Sequence, residues 1–198
     1  MIDLVYPLSS SVPVLPMATS SHPIRKKKGE RQEMFPVIQE DGWVIAMADR
    51  AYCHSGSHLL HPVVHLHIID RSERVFLQKR SMKKDIQPGR WDTSAGGHVI
   101  YGESIMEALF REASEELNLS GFNPIYLGSY RYDTDRDSEF VNMFAAVGSF
   151  NLVPDGDEVS DGRWWTIAEI EENLSSGVLT DNFTSEFKMI KDKLISLL

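Results

Sequence analysis

Three glutamates are crowded together near the middle of the sequence: Glu112, Glu115 and Glu116. Glu112 and Glu116 are four residues apart, so they point the same way if this segment is a helix. Like charges at that spacing destabilise a helix by roughly a few tenths of a kcal/mol per pair, and by more where they are partly removed from water. Because Mg²⁺ and Mn²⁺ favour oxygen ligands, a bound divalent cation would offset the repulsion, and Arg111 would add positive charge. The alternative, an ordinary solvated acidic face, is not excluded by these residues alone.

The segment that carries the glutamates is predicted to be an amphipathic helix from Ser104 to Leu117. Ser104 suits an N-cap and Glu107 follows three residues later, which is the spacing of a capping box. Glu116 falls just inside the edge of the apolar sector, so the helix is predicted to place its carboxylates beside its buried face. The residues that fill the apolar sector are Ile105, Met106, Leu109, Phe110, Ala113 and Leu117.

Strands are predicted on both sides of this helix from runs of apolar and alternating residues. The predicted strands and extended segments are 35–39, 43–48, 62–69, 74–79, 91–94, 125–132, 140–147 and 164–167. A second helix is predicted from apolar residues spaced three or four apart, namely Phe183, Phe187, Ile190, Leu194 and Leu197. Strands mixed with two helices favour an α+β fold in which a mixed sheet lies between helices.

The composition is that of an ordinary globular protein. The 198 residues have a net charge of −9, which argues against a dedicated nucleic-acid binder, since phosphate contacts need clustered Lys and Arg. A membrane-spanning helix is not expected, because the sequence has no apolar run of the required length. The single cysteine, Cys53, cannot form an internal disulfide, and the first residues lack the basic start of a secretory signal. We therefore expect a cytoplasmic protein.

The first 33 residues differ from the rest of the chain. They contain four prolines and five serines, and they end in a basic group, Arg25-Lys26-Lys27-Lys28 followed by Arg31. Such a stretch buries little surface, so residues 1–33 are predicted to be a flexible extension and residues 34–198 one domain. The basic group could contact nucleic acid or an acidic surface, although a solvated tail is the favoured interpretation.

The order of residues from Gly97 to Leu119 resembles the Nudix box, the signature of the Nudix hydrolases. That signature is a glycine, five residues, a glutamate, seven residues, Arg-Glu-apolar, one residue, Glu-Glu, one residue, and a glycine with an apolar residue. The matching positions are Gly97, Glu103, Arg111, Glu112, Ala113, Glu115, Glu116 and Leu119. Asn118 replaces the last glycine, a mild departure because asparagine also adopts the left-handed conformation that ends a helix. The resemblance implies the Nudix fold, an α/β/α sandwich with a mixed β-sheet between helices.

The resemblance also implies an activity. Nudix proteins usually cleave a diphosphate linked to another moiety with Mg²⁺ or Mn²⁺, so we expect hydrolysis of a nucleoside-diphosphate-type or related small molecule. The metals would offset the charge of the diphosphate and lower the pKa of a bound water, whose proton passes to a carboxylate. No nucleic-acid or membrane partner is expected, and a homodimer is left open. The implied metal ligands are Gly97 (through its carbonyl), Glu112, Glu115 and Glu116. The implied catalytic residues are Glu103 (supporting the loop), Arg111 (orienting a glutamate), Glu112 and Glu115.

Residues 35–170 resemble one branch of the family, which includes isopentenyl-diphosphate isomerase. The matching pieces are Tyr52-Cys53-His54, Leu60-His61, Pro88-Gly89-Arg90-Trp91, Gly97-His98 and Tyr130-Arg131-Tyr132. The second metal site that this resemblance implies consists of His54, His61, His98, Asp137 and Glu139. The resemblance implies that Arg80 and Lys84 hold the diphosphate. The aromatic residues Trp91 and Tyr132 are separate candidates for shaping a substrate pocket, although core packing is the commoner role of such side chains. His65 and His67 alternate along a strand and are interpreted as wall residues rather than ligands.

Gly96 is the main departure from the isomerases, because it stands where they have a catalytic cysteine. Glycine cannot move a proton, and Cys53 aligns away from that position, so we expect Cys53 to be a packed thiol. Three hypotheses follow. A metal-dependent diphosphate hydrolase is favoured by the intact box, isomerisation of a prenyl diphosphate is favoured by the histidines and acids but disfavoured by Gly96, and a non-enzymatic nucleotide binder would not need intact glutamates.

Overall fold

The structure, a computed structural model, describes residues 3–6, 13–15 and 33–198. Its helices are α1 (Arg50–Cys53), α2 (Ile105–Leu117), α3 (Ile167–Asn173) and α4 (Asp181–Ile195). Its strands are β1 (Met34–Ile38), β2 (Val44–Asp49), β3 (Leu60–Ile69), β4 (Arg74–Arg80), β5 (Trp91–Asp92), β6 (Ala95–His98), β7 (Ile125–Asp133), β8 (Ser138–Val147) and β9 (Val159–Thr166). Within the described ranges, no helix is long and apolar enough to cross a membrane.

The larger sheet is mixed. Its strands are hydrogen-bonded in the order β5-β4-β3-β8-β7, with β6 paired to β3 and β9 paired to β4. Strands β3 and β4 are antiparallel. Two hydrogen bonds link β3 to β8: the Asn142 side chain donates to the Val63 carbonyl, and the Gly148 amide donates to the Ile69 carbonyl. Residue numbers therefore increase in the same direction along both strands, so β3 and β8 are parallel. The predicted mixed sheet is therefore confirmed.

The chain forms two compact units, and strands β3, β6, β7 and β8 and helix α2 contribute residues to both. The first unit consists of residues 1–64, 98–108 and 129–142, and the second of residues 65–97, 109–128 and 143–198. In the first unit β1 and β2 form an antiparallel pair. Their apolar side chains pack with the thiol-bearing end of α1 in a buried cluster of Phe35, Val37, Ala46, Ala48 and Cys53.

Short N-terminal segments pair with β2 in the first unit. Val5 forms a parallel bridge with Trp43, and Val14 forms one with Met47. We call residues 3–6 the N-terminal strap. The flexible extension predicted for residues 1–33 otherwise lies outside the described residues, so that prediction is not decided, and the pairing of the two short pieces is a feature that the composition did not indicate.

In the second unit β9 pairs with β4 along almost its whole length. Helix α4 begins at the N-cap Thr180, whose hydroxyl accepts a hydrogen bond from the Phe183 amide. Its apolar face is buried as the spacing predicts, with Phe183, Phe187, Ile190 and Leu194 all almost fully excluded from solvent. A buried glutamate, Glu186, interrupts that face.

Most predicted elements are confirmed within one or two residues, but the strand predicted at 164–167 differs at both ends. Strand β9 begins at Val159, five residues before the predicted 164–167, and Ile167 starts helix α3 instead of ending the strand. The reason is a capping box, in which Thr166 and Glu169 each accept a hydrogen bond from the other's backbone amide. The elements missed by the sequence reading are α1, β6 and α3. The first two are four residues long, too short to show a period.

Candidate functional site

Helix α2 begins and ends as its sequence predicts. The Ser104 hydroxyl accepts from the Glu107 amide at 3.2 Å, and the Glu107 carboxylate accepts from the Ser104 amide at 2.8 Å. At the other end Asn118 adopts the left-handed conformation with φ of 51°. One prediction is wrong: Phe110 does not lie in the buried face but is 39% exposed and packs its ring against Phe122 at 5.0 Å.

Glu116 is the most deeply buried carboxylate of this helix. Its Oε2 accepts hydrogen bonds from the Gly96 amide at 2.9 Å and from the Gln78 side chain at 3.0 Å. Burial, and after it the neighbouring charge of Glu112, raises the pKa of Glu116 to about 8. Two neutral donors therefore do not fully compensate the removal of this carboxylate from water.

Glu112 lies against the backbone of Gly97. A Cβ atom placed on Gly97 would be 2.2 Å from Glu112 Oε1, so only glycine fits at this position while the carboxylate stays where it is. Arg111 Nη1 donates to Glu112 Oε1 at 2.7 Å and to Glu115 Oε2 at 3.1 Å. Burial raises the pKa of Glu112, and the Arg111 guanidinium lowers it only in part.

The three glutamates, which we call the carboxylate cluster (Glu112, Glu115 and Glu116), fit a divalent cation. Glu116 is buried and Glu112 is partly buried, and burial raises the pKa of both, whereas the third, Glu115, has a largely exposed side chain. The Arg111 guanidinium forms ion pairs with both Glu112 and Glu115. A hard divalent ion would supply the further positive charge that buried carboxylates require.

The loop before α2 is held by its own glutamate. The Glu103 carboxylate accepts a hydrogen bond from the Ile100 amide at 3.0 Å, and Gly102 takes a positive φ of 98° in the turn between them. The strap also contacts this loop, because the Tyr6 hydroxyl accepts from the Gly102 amide at 3.1 Å and donates to the Glu103 carbonyl at 3.0 Å. The supporting role of Glu103 stays a prediction, and its hydrogen bond to the Ile100 amide is the contact through which Glu103 would act.

The second set of predicted ligands meets in the first unit. His54, His61 and His98, which we call the histidine cluster, offer nitrogen atoms that all lie within 4.8 Å of one another. The Phe35 ring stacks on His98 at 4.4 Å and on His61 at 5.5 Å, which fixes the planes of both imidazoles. Three converging imidazole nitrogens are a ligand set that suits a transition metal.

Two of these histidines have their second nitrogen fixed. His54 Nδ1 lies 2.5 Å from Asp137 Oδ2, and His61 Nδ1 lies 2.8 Å from the Leu59 carbonyl oxygen. Both partners are acceptors, so each Nδ1 carries the ring proton and each Nε2 presents a lone pair. Within the described part of the chain, both Nε2 atoms are buried without a hydrogen-bond partner. Burial also lowers the pKa of His61 to about 4, which keeps it neutral, as a metal ligand must be.

The two acids predicted beside the histidines take different places. Both oxygens of Asp137 are engaged, one by His54 and one by the Thr134 hydroxyl at 2.5 Å. Asp137 therefore supports His54 through its Nδ1 atom, and its predicted role as a metal ligand stays a prediction. Glu139 Oε1 lies 3.6 Å from His98 Nε2, on the side where a ligand would be needed.

The predicted substrate-binding residues are divided between the units. In the second unit, Arg80 Nη1 pairs with Asp92 at 3.0 Å and Lys84 pairs with Glu158. Trp91 lies against Trp165, with Lys79 Nζ 5.7 Å from its ring centre. Tyr132 belongs to the first unit, where its ring meets Tyr130 at 6.3 Å.

Sequence reasoning missed two residues at these sites. Gln78 reaches Glu116 from β4, and Arg50 reaches His98 from the short helix α1. Side chains alternate between the two faces of a strand, so Gln78 lies on the opposite face of β4 from Leu77, and this alternation could have indicated Gln78 from the sequence. Nothing in the sequence around Arg50 indicated its contact. Cys53, predicted to be a packed thiol, is fully buried, and burial raises its pKa to about 12.

The sequence matches the NUDIX domain family model over residues 59–184. The chain belongs to the Nudix family. As a member it is an enzyme that acts on diphosphate bonds, and Gly97 to Leu119 is its Nudix box. The matched range includes the carboxylate cluster, His61 and His98, but not His54 or Arg50.

Relatives with two different names are similar to this Nudix protein. It is 30% identical over 187 residues to the isopentenyl-diphosphate Delta-isomerase of Streptomyces avermitilis, covering 91% of this chain and 92% of that protein. It is also 30% identical over 138 residues to the uncharacterized Nudix hydrolase YfcD of Escherichia coli K12, covering 70% of this chain and 76% of that one. The crystal structure of DR0079 from Deinococcus radiodurans superposes with a TM-score of 0.69 at 21% identity, covering 79% of this chain and 98% of that one. The last comparison confirms the predicted fold class.

Proposed function

We propose that this Nudix enzyme is a metal-dependent hydrolase that cleaves a diphosphate linkage in a nucleoside-diphosphate-type or related small molecule by attack of water. The observation that carries the proposal is a pair of carboxylates removed largely from water, the partly buried Glu112 against Gly97 and the buried Glu116 against the Gly96 amide. Carboxylates are buried without a full complement of donors where a cation is to be bound.

In the proposal the carboxylate cluster holds Mg²⁺ or Mn²⁺, with the Gly97 carbonyl as a further oxygen ligand. Such an ion polarises a diphosphate, offsets its charge and lowers the pKa of a coordinated water. The intact ligand set supports this assignment, because Mg²⁺ takes oxygen ligands and keeps some of its waters.

The side chains of the box have distinct proposed tasks. Glu112 is the proposed acceptor of the water proton, because its raised pKa brings it nearer to neutrality, where a general base works best. Glu115 is the alternative acceptor, since its side chain is largely exposed and pairs with Arg111 at 3.1 Å. Arg111 bridges the two carboxylates and thereby orients whichever of them accepts the proton.

Substrate binding is proposed for Arg80, Lys84, Trp91 and Tyr132. Arg80 and Lys84 each pair with a single carboxylate, Asp92 and Glu158. Their remaining N–H groups can donate to phosphate oxygens, and Arg80 presents a planar fork suited to that. Trp91 and Tyr132 offer aromatic faces on which a base can stack.

The histidine cluster is proposed as a second metal site, with Glu139 as its acidic ligand and Asp137 as the support of His54. Imidazole nitrogens suit transition metals, whereas Mg²⁺ prefers oxygen, so this site is expected to take a transition-metal ion rather than Mg²⁺. The proposal is supported by the hydrogen bonds of His54 and His61, in which each Nδ1 faces an acceptor and each Nε2 is left to bind a metal.

Isomerisation of a prenyl diphosphate is the second candidate, favoured by the histidine cluster and by the names of several relatives. The observation against isomerisation is at Gly96, the position where the isomerases have a catalytic cysteine. Gly96 has no side chain, and its amide is already committed to Glu116. Incubation with isopentenyl diphosphate decides the matter: any dimethylallyl product that depends on the protein would revive the isomerase hypothesis.

The test of the hydrolase proposal is the pair of isosteric substitutions Glu112→Gln and Glu116→Gln. Each substitution removes a charge while keeping the shape of the side chain. We expect turnover to fall by about 100-fold or more, because losing a metal ligand lowers activity more than losing a residue that only supports a ligand. The assay measures phosphate or nucleotide release with Mg²⁺ and with Mn²⁺ across nucleotide sugars, dinucleotides, nucleoside triphosphates and prenyl diphosphates.

Glu171→Gln is the matched control, because Glu171 is an exposed glutamate of α3 that pairs with Lys191. It should retain full turnover. Equal activity of all three variants would refute the assigned metal site, and tight nucleotide binding without turnover in the wild type would instead indicate a binder.

A further inference from the structure

The histidine cluster contains an asymmetry. His54 and His61 direct Nδ1 to acceptors, the Asp137 carboxylate and the Leu59 carbonyl oxygen. His98 Nδ1 instead meets a donor, Arg50 Nη1, at 3.3 Å. A guanidinium group can only donate hydrogen bonds, so the Nδ1 atom of His98 must be the acceptor in this contact.

The contact fixes which nitrogen of His98 carries the proton. In a neutral imidazole one nitrogen donates and the other accepts. With Nδ1 accepting from Arg50, the proton lies on Nε2, which faces Glu139 Oε1 at 3.6 Å. His54 and His61 have the opposite tautomer, with the proton on Nδ1. One of the three rings is therefore in the tautomer that cannot bind a metal through Nε2.

Ring rotation away from this arrangement is restricted. Phe35 stacks on the His98 ring at 4.4 Å with an interplanar angle of 2°. Arg50 is anchored in turn, since the same Nη1 donates to Glu33 Oε2 at 3.2 Å and its guanidinium carbon lies 5.8 Å from the Phe35 ring centre. Glu33, Phe35, Arg50 and His98 all belong to the first unit.

We propose that Arg50 is a positioning residue that restrains the histidine cluster, because it must release His98 before a metal ion can bind through all three imidazoles. The inference rests on the second metal site of the proposed function. Metal binding then requires the His98 proton to move from Nε2 to Nδ1, where it would confront the Arg50 N–H groups. Arg50 also places a positive charge beside a site that binds a cation. Both effects weaken metal binding in the wild type.

The test uses the full-length protein labelled with ¹⁵N-histidine, first without metal. Long-range ¹H–¹⁵N spectra distinguish the two tautomers, and single His→Gln variants assign the signals. We expect His54 and His61 to carry the proton on Nδ1 and His98 to carry it on Nε2. In Arg50→Met the guanidinium donor at Nδ1 is gone while Glu139 remains beside Nε2, so we expect the Nδ1 tautomer of His98 to become detectably populated, whereas Arg131→Met should leave the tautomer unchanged.

Arg131→Met is the matched control because Arg131 lies in the same unit and pairs with Asp133 and Glu40, so it removes an equal charge elsewhere. The second measurement is titration with Zn²⁺, which coordinates imidazole and shifts the ¹⁵N signal of each bound nitrogen. We expect Arg50→Met to bind Zn²⁺ at the three rings at least tenfold more tightly than either the wild type or Arg131→Met.

The outcomes separate this inference from the proposed function. A wild-type His98 with its proton on Nδ1, or equal Zn²⁺ affinity in Arg50→Met and Arg131→Met, overturns the role of Arg50 while leaving the metal site intact. The expected tautomers with no Zn²⁺ bound at the rings in any variant overturn the metal site itself, and with it the restraint on metal binding.

Discussion

Single side chains at the Nudix box act through short, specific contacts. Gly97 is required because Glu112 occupies the space that a Cβ would fill. The sequence indicated that a glycine stands here, but it did not indicate why. The structure gives the physical reason, which is the close approach of a buried carboxylate to the backbone.

Substitution of that glycine is predicted to displace Glu112. In Gly97→Ala the new methyl carbon would lie 2.2 Å from Glu112 Oε1, so the carboxylate must move. We expect turnover to fall at least tenfold and the unfolding free energy to fall by about 1–3 kcal/mol, as in other overpacked sites. Steady-state kinetics and urea unfolding measure the two effects.

Gly121→Ala is the control for backbone flexibility alone. Gly121 also has a positive φ, of 71°, but a Cβ there meets nothing within 4 Å. It is expected to lose stability without losing turnover. A Gly97→Ala variant as active as the wild type would show that the position of Glu112 is not critical.

Elements with a clear period were predictable, and short ones were not. Helices α2 and α4 and the long strands follow from the spacing of their apolar residues. Helix α1 has four residues, yet it carries Arg50 to His98, and a single turn leaves no periodic signal. Candidate ligands could be named from the sequence, and they stay predictions, but their hydrogen-bond partners could not, since a hydrogen bond between distant residues such as Asp137 and His54 depends on the tertiary fold.

The N-terminal strap is an element whose effect can be measured at one amide. Tyr6→Phe removes the hydroxyl that accepts from the Gly102 amide and donates to the Glu103 carbonyl. We expect faster hydrogen exchange at Gly102 and a loss of about 1 kcal/mol in stability, because each such bond contributes about that much or less. Burial raises the pKa of Tyr6, so its hydroxyl stays a donor throughout the neutral range.

Tyr101→Phe provides the comparison. Tyr101 meets Tyr6 edge-on at 5.3 Å, so this variant keeps the ring contact and removes a neighbouring hydroxyl. Its Gly102 amide should exchange at the wild-type rate. Equal exchange at Gly102 in Tyr6→Phe and the wild type would mean that the strap does not hold the loop.

The stability of the fold is expected to depend on a buried carboxylate that lies outside the proposed metal sites. Glu186 of α4 is completely buried, with His65 Nδ1 at 2.6 Å from one oxygen and His67 Nε2 at 3.0 Å from the other. The predicted role of the two histidines as wall residues did not anticipate this pairing. Burial would raise the pKa of Glu186, but the two histidines outweigh it and hold that pKa well below its usual range.

A carboxyl with a lowered pKa binds fewer protons when folded than when unfolded. It therefore stabilises the protein above its unfolded pKa of about 4.5, and that contribution is lost as the pH falls below it. We expect Glu186→Gln to lower the unfolding free energy at pH 7 by about 3 kcal/mol and to flatten its decline between pH 5 and pH 3. Urea unfolding at several pH values measures both.

The control is again Glu171→Gln, which should keep the wild-type slope with pH. An unchanged slope in Glu186→Gln would show that other groups govern the acid sensitivity of the fold.

Cys53 has a practical consequence for later work. Its sulfur is fully buried and, with a pKa near 12, stays protonated at the pH of ordinary labelling reactions. Since it is the only cysteine in the chain, a fluorophore or spin probe attached through an introduced surface cysteine will report on that position alone. The natural sequence can thus serve unmodified as the background for distance measurements.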